Sequence, residues 1–236
     1  MYNTNKISKQ LLKWYNKYQR DLPWRHTQDP YKIWLSEIML QQTQVETVIP
    51  YYIKWLDKYP TIKNVAETDE TILLKSWEGL GYYNRCRNFK KSAVNIMKEH
   101  EGQIPTDYDS FIKMPGVGEY IAAAVLSIAH DLPHPALDGN IIRVMSRFLK
   151  QKKLSPYNRK IIKNHVQMWM EFDSPGDINQ ALMDIGSKIC KQNQVLCYKC
   201  PLENSCAAVL TQFPKSYPTP KQNKPIPNYD VVTGII

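Results

Sequence analysis

Four of the five cysteines lie close together in the last quarter of the sequence, and their spacing constrains how that region can fold. They follow the pattern Cys190-x6-Cys197-x2-Cys200-x5-Cys206. Four thiolates in so short a segment suit a tetrahedral zinc ion or a 4Fe–4S cluster, because either one requires its ligands to converge. Zinc ribbons usually present two close pairs, whereas only the central pair is close here, which favours iron–sulfur and leaves zinc open. The sequence therefore predicts a compact metal-binding loop.

Helical periodicity dominates the chain before this loop. Ile7, Leu11 and Tyr15 mark one face of an opening helix, and the nearly continuous apolar run 120–130 predicts a buried helix. Alternating patterns typical of strands are almost absent before residue 228. We therefore predict an all-α fold. The other predicted helices cover residues 29–39, 45–52, 68–79, 84–100, 140–150 and 179–188.

The charge balance favours a phosphate-rich partner. Lys and Arg number 31 against 22 Asp and Glu, which gives the 236-residue chain a formal net charge of +9. No apolar run approaches the roughly 18 residues of a membrane span, and the first residues lack the pattern of a secretory signal. We expect a cytoplasmic protein, nucleoid-associated in a bacterium, that acts as a monomer and has no membrane partner.

A glycine-containing hairpin, Met-Pro-Gly-Val-Gly-Glu-Tyr at 114–120, lies between two predicted helices. Gly116 and Gly118 permit backbone conformations closed to other residues and let a phosphate approach closely. The free N–H groups of the following helix would point outward and bind an anion. Such a hairpin holds the DNA backbone without reading its sequence. A plain glycine-rich turn is the competing interpretation.

Two carboxylates are candidates for acid–base chemistry. Asp138 directly precedes a predicted helix, where the helix dipole favours its ionised form, although ordinary helix capping is the preferred interpretation of this residue taken alone. Glu37 is followed by Ile38 and Met39, and such apolar surroundings would raise its pKa and make it a usable acid near neutral pH. A solvated helix face is the alternative for Glu37.

Six motifs occur in order along the chain. They are LPWR at 22–25, WLSE at 34–37, MLQQTQV at 39–45, GLGYY at 79–83, PGVG at 115–118 and LDGN at 137–140. Together with the four cysteines, they resemble the A/G-specific adenine DNA glycosylases, the MutY family, within the helix-hairpin-helix glycosylase superfamily. The resemblance covers about residues 7–212. It implies a helix-hairpin-helix DNA glycosylase fold and a 4Fe–4S cluster on the four cysteines.

The resemblance also implies a domain organisation. Residues 1–212 would form the helical catalytic region, with the hairpin in a module of about 25–135. Residues 1–24 and 136–212 would form a second module that carries the iron–sulfur loop, and a cleft would separate the two. The Pro- and Lys-rich residues 213–228 predict an extended linker. Residues 229–236 are predicted to begin a Nudix-like C-terminal domain, which in the family helps to recognise 8-oxoguanine.

The resemblance implies base excision repair by a monofunctional DNA glycosylase. Its substrate would be adenine mispaired with 8-oxoguanine or guanine in double-stranded DNA. Glu37 matches the general acid that protonates N7 of adenine, and Asp138 matches the carboxylate that stabilises the oxocarbenium-like sugar. Asn140 would orient one of these carboxyl groups. Bifunctional relatives carry a Schiff-base lysine where this chain has Tyr120, which predicts base release without lyase activity.

The remaining site residues implied by the resemblance contact DNA. Gln42 matches the wedge that enters the duplex where the base leaves. Leu80 and Tyr82 match contacts around the opposite base. Ring stacking and a polar edge suit a flipped purine, and the candidates for that pocket are Trp24, Arg25 and Gln180.

Two alternatives remain open at this point. A T:G mismatch glycosylase shares the cluster and can place a tyrosine after the hairpin, although the stretches 41–43 and 138–140 favour adenine. A non-catalytic iron–sulfur DNA-binding module is the other alternative. The presence of both Glu37 and Asp138 disfavours it.

Overall fold

The computed structural model describes residues 3–219, and helices account for the ordered elements among them. They are α1 (Thr4–Tyr18), α2 (Pro30–Leu40), α3 (Val45–Lys58), α4 (Ile62–Glu67), α5 (Glu70–Trp77), α6 (Asn84–Glu99), α7 (Tyr108–Phe111), α8 (Glu119–His130), α9 (Gly139–Phe148), α10 (Pro156–Met170) and α11 (Pro175–Asp184). In this part of the chain the only β pairing is an isolated bridge between Cys190 and Val195. The prediction of an all-α fold is confirmed. The segment 229–236 lies outside the described residues.

The buried apolar side chains form two large clusters. The first draws on α2 to α8 and contains the rings of Trp34, Trp55 and Phe89, which meet edge-on or at a tilt. The second draws on α1, α9, α10 and α11 and includes the edge-on pair Phe148 and Trp169. Burying each such side chain contributes roughly 1.5–3 kcal/mol, so each cluster can hold its own group of helices together.

Helices α8 and α11 join the two clusters by a close crossing. A β-carbon at Gly176 would lie 2.7 Å from the backbone oxygen of Ser127, so only glycine allows this approach. The buried amide of Asn179 donates to the Ser127 hydroxyl at 2.8 Å and accepts the N–H of Ala136 at 3.0 Å. These hydrogen bonds fix the chain that runs from the end of α8 to the start of α9.

Tyr120, at the start of α8, and Asp138, before α9, line one cavity. Asp138 caps α9 by accepting the N–H of Ile141 at 2.6 Å. Gly118 stands before α8, and no side chain caps this helix. The hairpin residue Tyr120 and the capping residue Asp138 are in this way brought to one place.

Tyr217 and Thr219, which the sequence assigned to the linker, are hydrogen-bonded to residues in α9 and shortly after it. The backbone oxygen of Tyr217 accepts a hydrogen bond from Arg147 Nε at 3.0 Å, and the N–H of Thr219 donates to Lys152 at 2.9 Å. The rest of the predicted linker lies outside the described residues. None of the helices in residues 3–219 has the length and apolar character needed to cross a membrane.

Candidate active site

A cavity of about 520 Å³ opens between the two clusters. This volume lies within the usual range of small-molecule sites. The structure brings to its wall most of the residues that the sequence singled out for chemistry and base binding. They are Trp24, Arg25, Glu37, Tyr120, Asp138, Asn140 and Gln180.

Glu37 projects from α2 into this cavity and is almost completely buried, with 5% of its surface exposed. The hydroxyl of Tyr120 donates a hydrogen bond to its Oε2 at 2.5 Å. Burial raises the pKa of Glu37 from 4.5 to about 7, although the Tyr120 hydrogen bond partly opposes this. The solvated helix face considered for Glu37 is therefore wrong, and the carboxyl group is partly protonated near neutral pH.

Tyr120 acts only as a donor in this arrangement. Burial raises the pKa of its phenol well above the ordinary value, and the neighbouring Glu37 adds to the effect. The hydroxyl therefore keeps its proton at neutral pH and points it at Glu37. A phenol has no amine and cannot form a Schiff base.

Asp138 is both a helix cap and a cavity residue. Its Oδ1 accepts the N–H of Ile141, and its Oδ2 accepts the amide of Asn140 at 2.8 Å. The helix-dipole argument predicted a lowered pKa, but the pKa of Asp138 is raised because burial outweighs these hydrogen bonds. Asp138 accepts two donors that stabilise its anion and Glu37 accepts one, so Asp138 is better placed to carry the negative charge.

Asn140 orients Asp138 and not Glu37. Its side-chain oxygen accepts a hydrogen bond from Arg143 at 2.7 Å, which leaves its amide free to donate to Asp138. The same guanidinium also donates to the backbone oxygen of Gly186 at 2.7 Å. A β-carbon at Gly186 would lie 2.5 Å from Cβ of Asn140, so a side chain there would displace it.

The wall predicted to hold adenine is built around a residue that the sequence did not reveal. The carboxylate of Asp184 is fully buried and accepts hydrogen bonds from Arg25 at 2.6 and 2.9 Å and from Arg20 at 2.6 Å. These hydrogen bonds and charges hold the pKa of Asp184 below its ordinary value. Arg25 lines the cavity, but its charge is already paired. In the sequence, Asp184 stands among apolar residues of α11, so its role in this wall was not predicted.

Gln180 and Trp24 complete this wall in different ways. The amide of Gln180 makes no hydrogen bond to another residue within 3–219, so it is available to a ligand. Trp24 packs edge-on against Tyr52, with ring centroids 5.4 Å apart, and also lines the cavity.

The residues expected to contact the two bases of a mispair differ in exposure. Gln42 is exposed, and Tyr82 has 61% of its surface exposed. Leu80 lies in the first hydrophobic cluster with 5% exposed, so its side chain is directed into the protein. Of this pair, the structure presents Tyr82 and not the side chain of Leu80 to a partner.

The two hairpin glycines also differ. Gly116 has φ +78°, and a β-carbon there would lie 2.8 Å from Cβ of Asn88, so glycine is required. Gly118 has φ −97° and ψ 178°, an extended conformation open to any residue. The expectation of a special conformation is therefore wrong for Gly118. A β-carbon there would meet nothing within 4 Å, so the uncapped start of α8 faces open space.

A second cavity, of about 790 Å³, borders the other side of Tyr120. It also touches Leu137 and Glu119, at the starts of α9 and α8. Half of its other wall residues come from α10, which contributes the basic side chains of Arg159, Lys160 and Lys163. We call this second cavity the basic groove. Positive side chains and helix N-termini together make it attractive to phosphate groups.

The four cysteines Cys190, Cys197, Cys200 and Cys206 line one common cavity together with Arg147. Arg147 donates from NH1 to Sγ of Cys190 at 3.1 Å, which would stabilise a negatively charged sulfur. Within residues 3–219, no group of three or more His, Cys, Asp or Glu side chains could hold a single metal ion.

A family model described as "HhH-GPD superfamily base excision DNA repair protein" matches residues 35–171. This range contains the hairpin, Glu37, Tyr120 and Asp138. The chain belongs to the HhH-GPD superfamily. The predicted helix-hairpin-helix fold is thereby confirmed.

Relatives of similar sequence carry the name that the motifs suggested. An adenine DNA glycosylase of Buchnera aphidicola subsp. Baizongia pistaciae is 40% identical over 201 residues, covering 85% of this chain and 57% of the relative. One from Buchnera aphidicola subsp. Acyrthosiphon pisum is 37% identical over 228 residues, covering 94% of this chain and 64% of the relative. The resemblance to adenine DNA glycosylases is confirmed, and this chain spans less than two thirds of either relative.

A solved structure is also similar. A thermostable thymine-DNA glycosylase matches with a TM-score of 0.80 at 28% identity and covers 88% of this chain and 97% of its own. Its name points to a different target base, so substrate choice has to be argued from the site.

Proposed function

We propose that this protein is a monofunctional adenine DNA glycosylase of base excision repair, which releases adenine paired with 8-oxoguanine or guanine in duplex DNA. The observation that carries the proposal is the pair of carboxyl groups, Glu37 and Asp138, on the wall of one cavity. The pKa of Glu37, raised to about 7, lets it supply a proton near neutral pH, and Asp138 accepts two donors that stabilise its anion. One acid and one anion are what hydrolysis of an N-glycosidic bond requires.

The reaction follows from these two environments. The target adenine leaves the base stack and enters the cavity. Glu37 donates its proton to N7, and the C1′–N9 bond breaks with its electron pair moving to the base. Asp138, on the wall of the same cavity, stabilises the cationic sugar. Water then adds to C1′ and gives its proton to Glu37, which restores the enzyme.

We further propose how the DNA strand is held. The backbone at Gly118 has open space beside it, and the N–H groups at the start of α8 have no side-chain cap. Together they would bind one phosphate. The basic groove borders Tyr120, so Lys160 and Lys163 are placed to bind the backbone next to the target nucleotide. These contacts carry no sequence preference, as suits an enzyme that must scan any DNA.

We propose that Cys190, Cys197, Cys200 and Cys206 hold a 4Fe–4S cluster. When bound, it would supply structural cross-linking of the loop at 190–206 beside the active site. Arg147 would stabilise the ligating sulfur of Cys190 and also holds the backbone of Lys191 at 2.8 Å. Brown protein with four irons per chain is expected, and colourless protein with stoichiometric zinc would contradict the assignment.

A panel of duplexes tests the activity. Single-turnover base release is measured on A:8-oxoguanine, A:G and T:G duplexes, and release of adenine only is expected. Asp138→Asn should retain DNA binding and lose base release by orders of magnitude. Asp109→Asn, at an exposed carboxylate, should retain both DNA binding and base release. Borohydride should trap no covalent adduct, since Tyr120 cannot form a Schiff base.

The same panel separates the alternatives. Release of thymine from T:G without release of adenine would establish a mismatch thymine glycosylase instead. Tight duplex binding without any base release would leave a DNA-binding module.

A further inference from the structure

Arg85, at the start of α6, is hydrogen-bonded to two turns of the chain, one at residues 38–43 and the other at residues 80–82. One amino group, NH1, donates to the backbone oxygens of Ile38, Met39 and Gln41 at 2.8, 2.8 and 2.6 Å. These oxygens belong to the end of α2 and the residue that follows it, where carbonyl groups lack partners inside the helix. A half-buried positive charge at this position also complements the negative end of the helix dipole.

The other amino group of Arg85, NH2, reaches the second turn. It donates to the backbone oxygens of Leu80 and Gly81, each at 3.1 Å, and to the hydroxyl of Thr43 at 3.3 Å. The guanidinium also lies 5.5 Å from the ring centroid of Tyr82. A single planar group therefore fixes the distance between residues 38–43 and residues 80–82.

Each of these two turns contains an exposed residue in an unfavourable conformation. Gln42 has φ +57° and Tyr82 has φ +48°, backbone angles that residues other than glycine rarely adopt. Such a conformation persists only where the surrounding structure enforces it. The backbone oxygens held by Arg85 lie one residue before each strained residue, at Gln41 and Gly81.

We propose that Arg85 is a positioning residue that sets the spacing of Gln42 and Tyr82, and through them the discrimination of the base opposite the target. The inference rests on the proposed glycosylase function. Arg85 lines neither the catalytic cavity nor the basic groove. In the proposal, its effect on DNA is transmitted through the two turns that it holds.

Substitution by lysine tests the proposal while keeping the charge. A lysine ammonium is a point charge and cannot span two sets of carbonyl groups in one plane. Arg87→Lys is the matched control, because Arg87 lies on the same helix and pairs with Glu70 at the surface. Thr43→Val removes one acceptor and leaves the arginine in place, and it serves if Arg85→Lys fails to fold.

Two measurements are made on each folded variant. The first is the ratio of single-turnover rates of adenine release opposite 8-oxoguanine, guanine and cytosine. The second is the fluorescence of 2-aminopurine beside the target, which reports unstacking as the two turns enter the duplex. In Arg85→Lys we expect release opposite 8-oxoguanine to fall on the order of 100-fold. Release opposite cytosine should fall far less, and the 2-aminopurine signal should be lost.

The outcomes separate this proposal from the proposed function. Thr43→Val should change the same ratio in the same direction but less, and Arg87→Lys should leave it unchanged. Unchanged ratios in Arg85→Lys, or an equal loss opposite all three bases with a normal 2-aminopurine signal, would overturn the positioning role. A wild-type protein that releases no adenine would instead overturn the glycosylase function itself.

Discussion

At the scale of single residues, the site depends on placing two carboxyl groups in one cavity without ionising both. Asp138 accepts a backbone N–H and the amide of Asn140, and both donors stabilise its anion. Glu37 accepts only the Tyr120 hydroxyl and is more deeply desolvated. Unequal hydrogen bonding thus divides the roles of acid and anion between chemically similar side chains.

This arrangement predicts a pH-dependent cost of folding. The pKa of Glu37 is raised from 4.5 to about 7 in the folded protein, so its favourable contribution is complete below pH 4.5 and is lost as the pH rises through 7. Glu37→Gln keeps an acceptor for Tyr120 and carries no charge. We expect the variant to be more stable than wild type at pH 8, by roughly 3 kcal/mol at most, and equally stable at pH 4.

Thermal unfolding of both proteins at matched scan rates between pH 4 and pH 8 measures this difference. Glu46→Gln, at an exposed glutamate on α3, is the control and should show no such trend. A stability difference that is the same at both ends of the pH range would contradict the buried, protonated state of Glu37. Glu37→Gln should also lose adenine release, because an amide cannot donate the required proton.

At the scale of helices, the crossing of α8 and α11 holds the two halves of the site together. Gly176→Ala places a β-carbon 2.7 Å from the Ser127 oxygen and 2.9 Å from Cα of Ile128, and backbone cannot move aside cheaply. We expect a loss of about 1–3 kcal/mol in the free energy of unfolding. Gly139→Ala is the control because its β-carbon would meet nothing within 4 Å, and it should be near neutral. Denaturant unfolding measures both, and equal stabilities would refute the close crossing.

Local signals predicted most of the helices but not all of them. The 15-residue α10 was missed, although Ser155 caps it and Pro156 occupies its first position. Its exposed face carries many charges, which obscured the apolar spacing of Ile162, Val166 and Trp169. The short helices α4 and α7 offer too few residues for a periodic pattern to be recognised.

The candidate site was predictable where its residues stand in short motifs and not where distant segments meet. Glu37, Tyr120 and Asp138 were found in this way, and the structure adds the contact of Tyr120 with Glu37. Asp184 and Arg85 were missed because their partners lie far away in sequence, up to 164 residues for Asp184. Only the fold shows that a buried carboxylate or guanidinium has such partners.

At the scale of the whole molecule, the net charge of +9 is useful only where it faces the substrate. The basic groove lies beside Tyr120 and the starts of α8 and α9, and we propose that the DNA backbone follows it. Lys160 and Lys163 lie on its wall, whereas Lys9 and Lys13 of α1 line neither the catalytic cavity nor the groove. The two pairs of lysines therefore allow local charge to be separated from total charge.

Reversing each pair of charges makes this separation measurable. Lys160→Glu with Lys163→Glu should weaken duplex binding and reduce the slope of log K against log salt by about 2, close to one per lost phosphate contact. Lys9→Glu with Lys13→Glu changes the net charge equally and should leave the slope nearly unchanged. Both are measured by fluorescence anisotropy across a salt titration. Equal slopes for the two double variants would show that DNA responds to total charge, and the groove would then have no specific part in holding the strand.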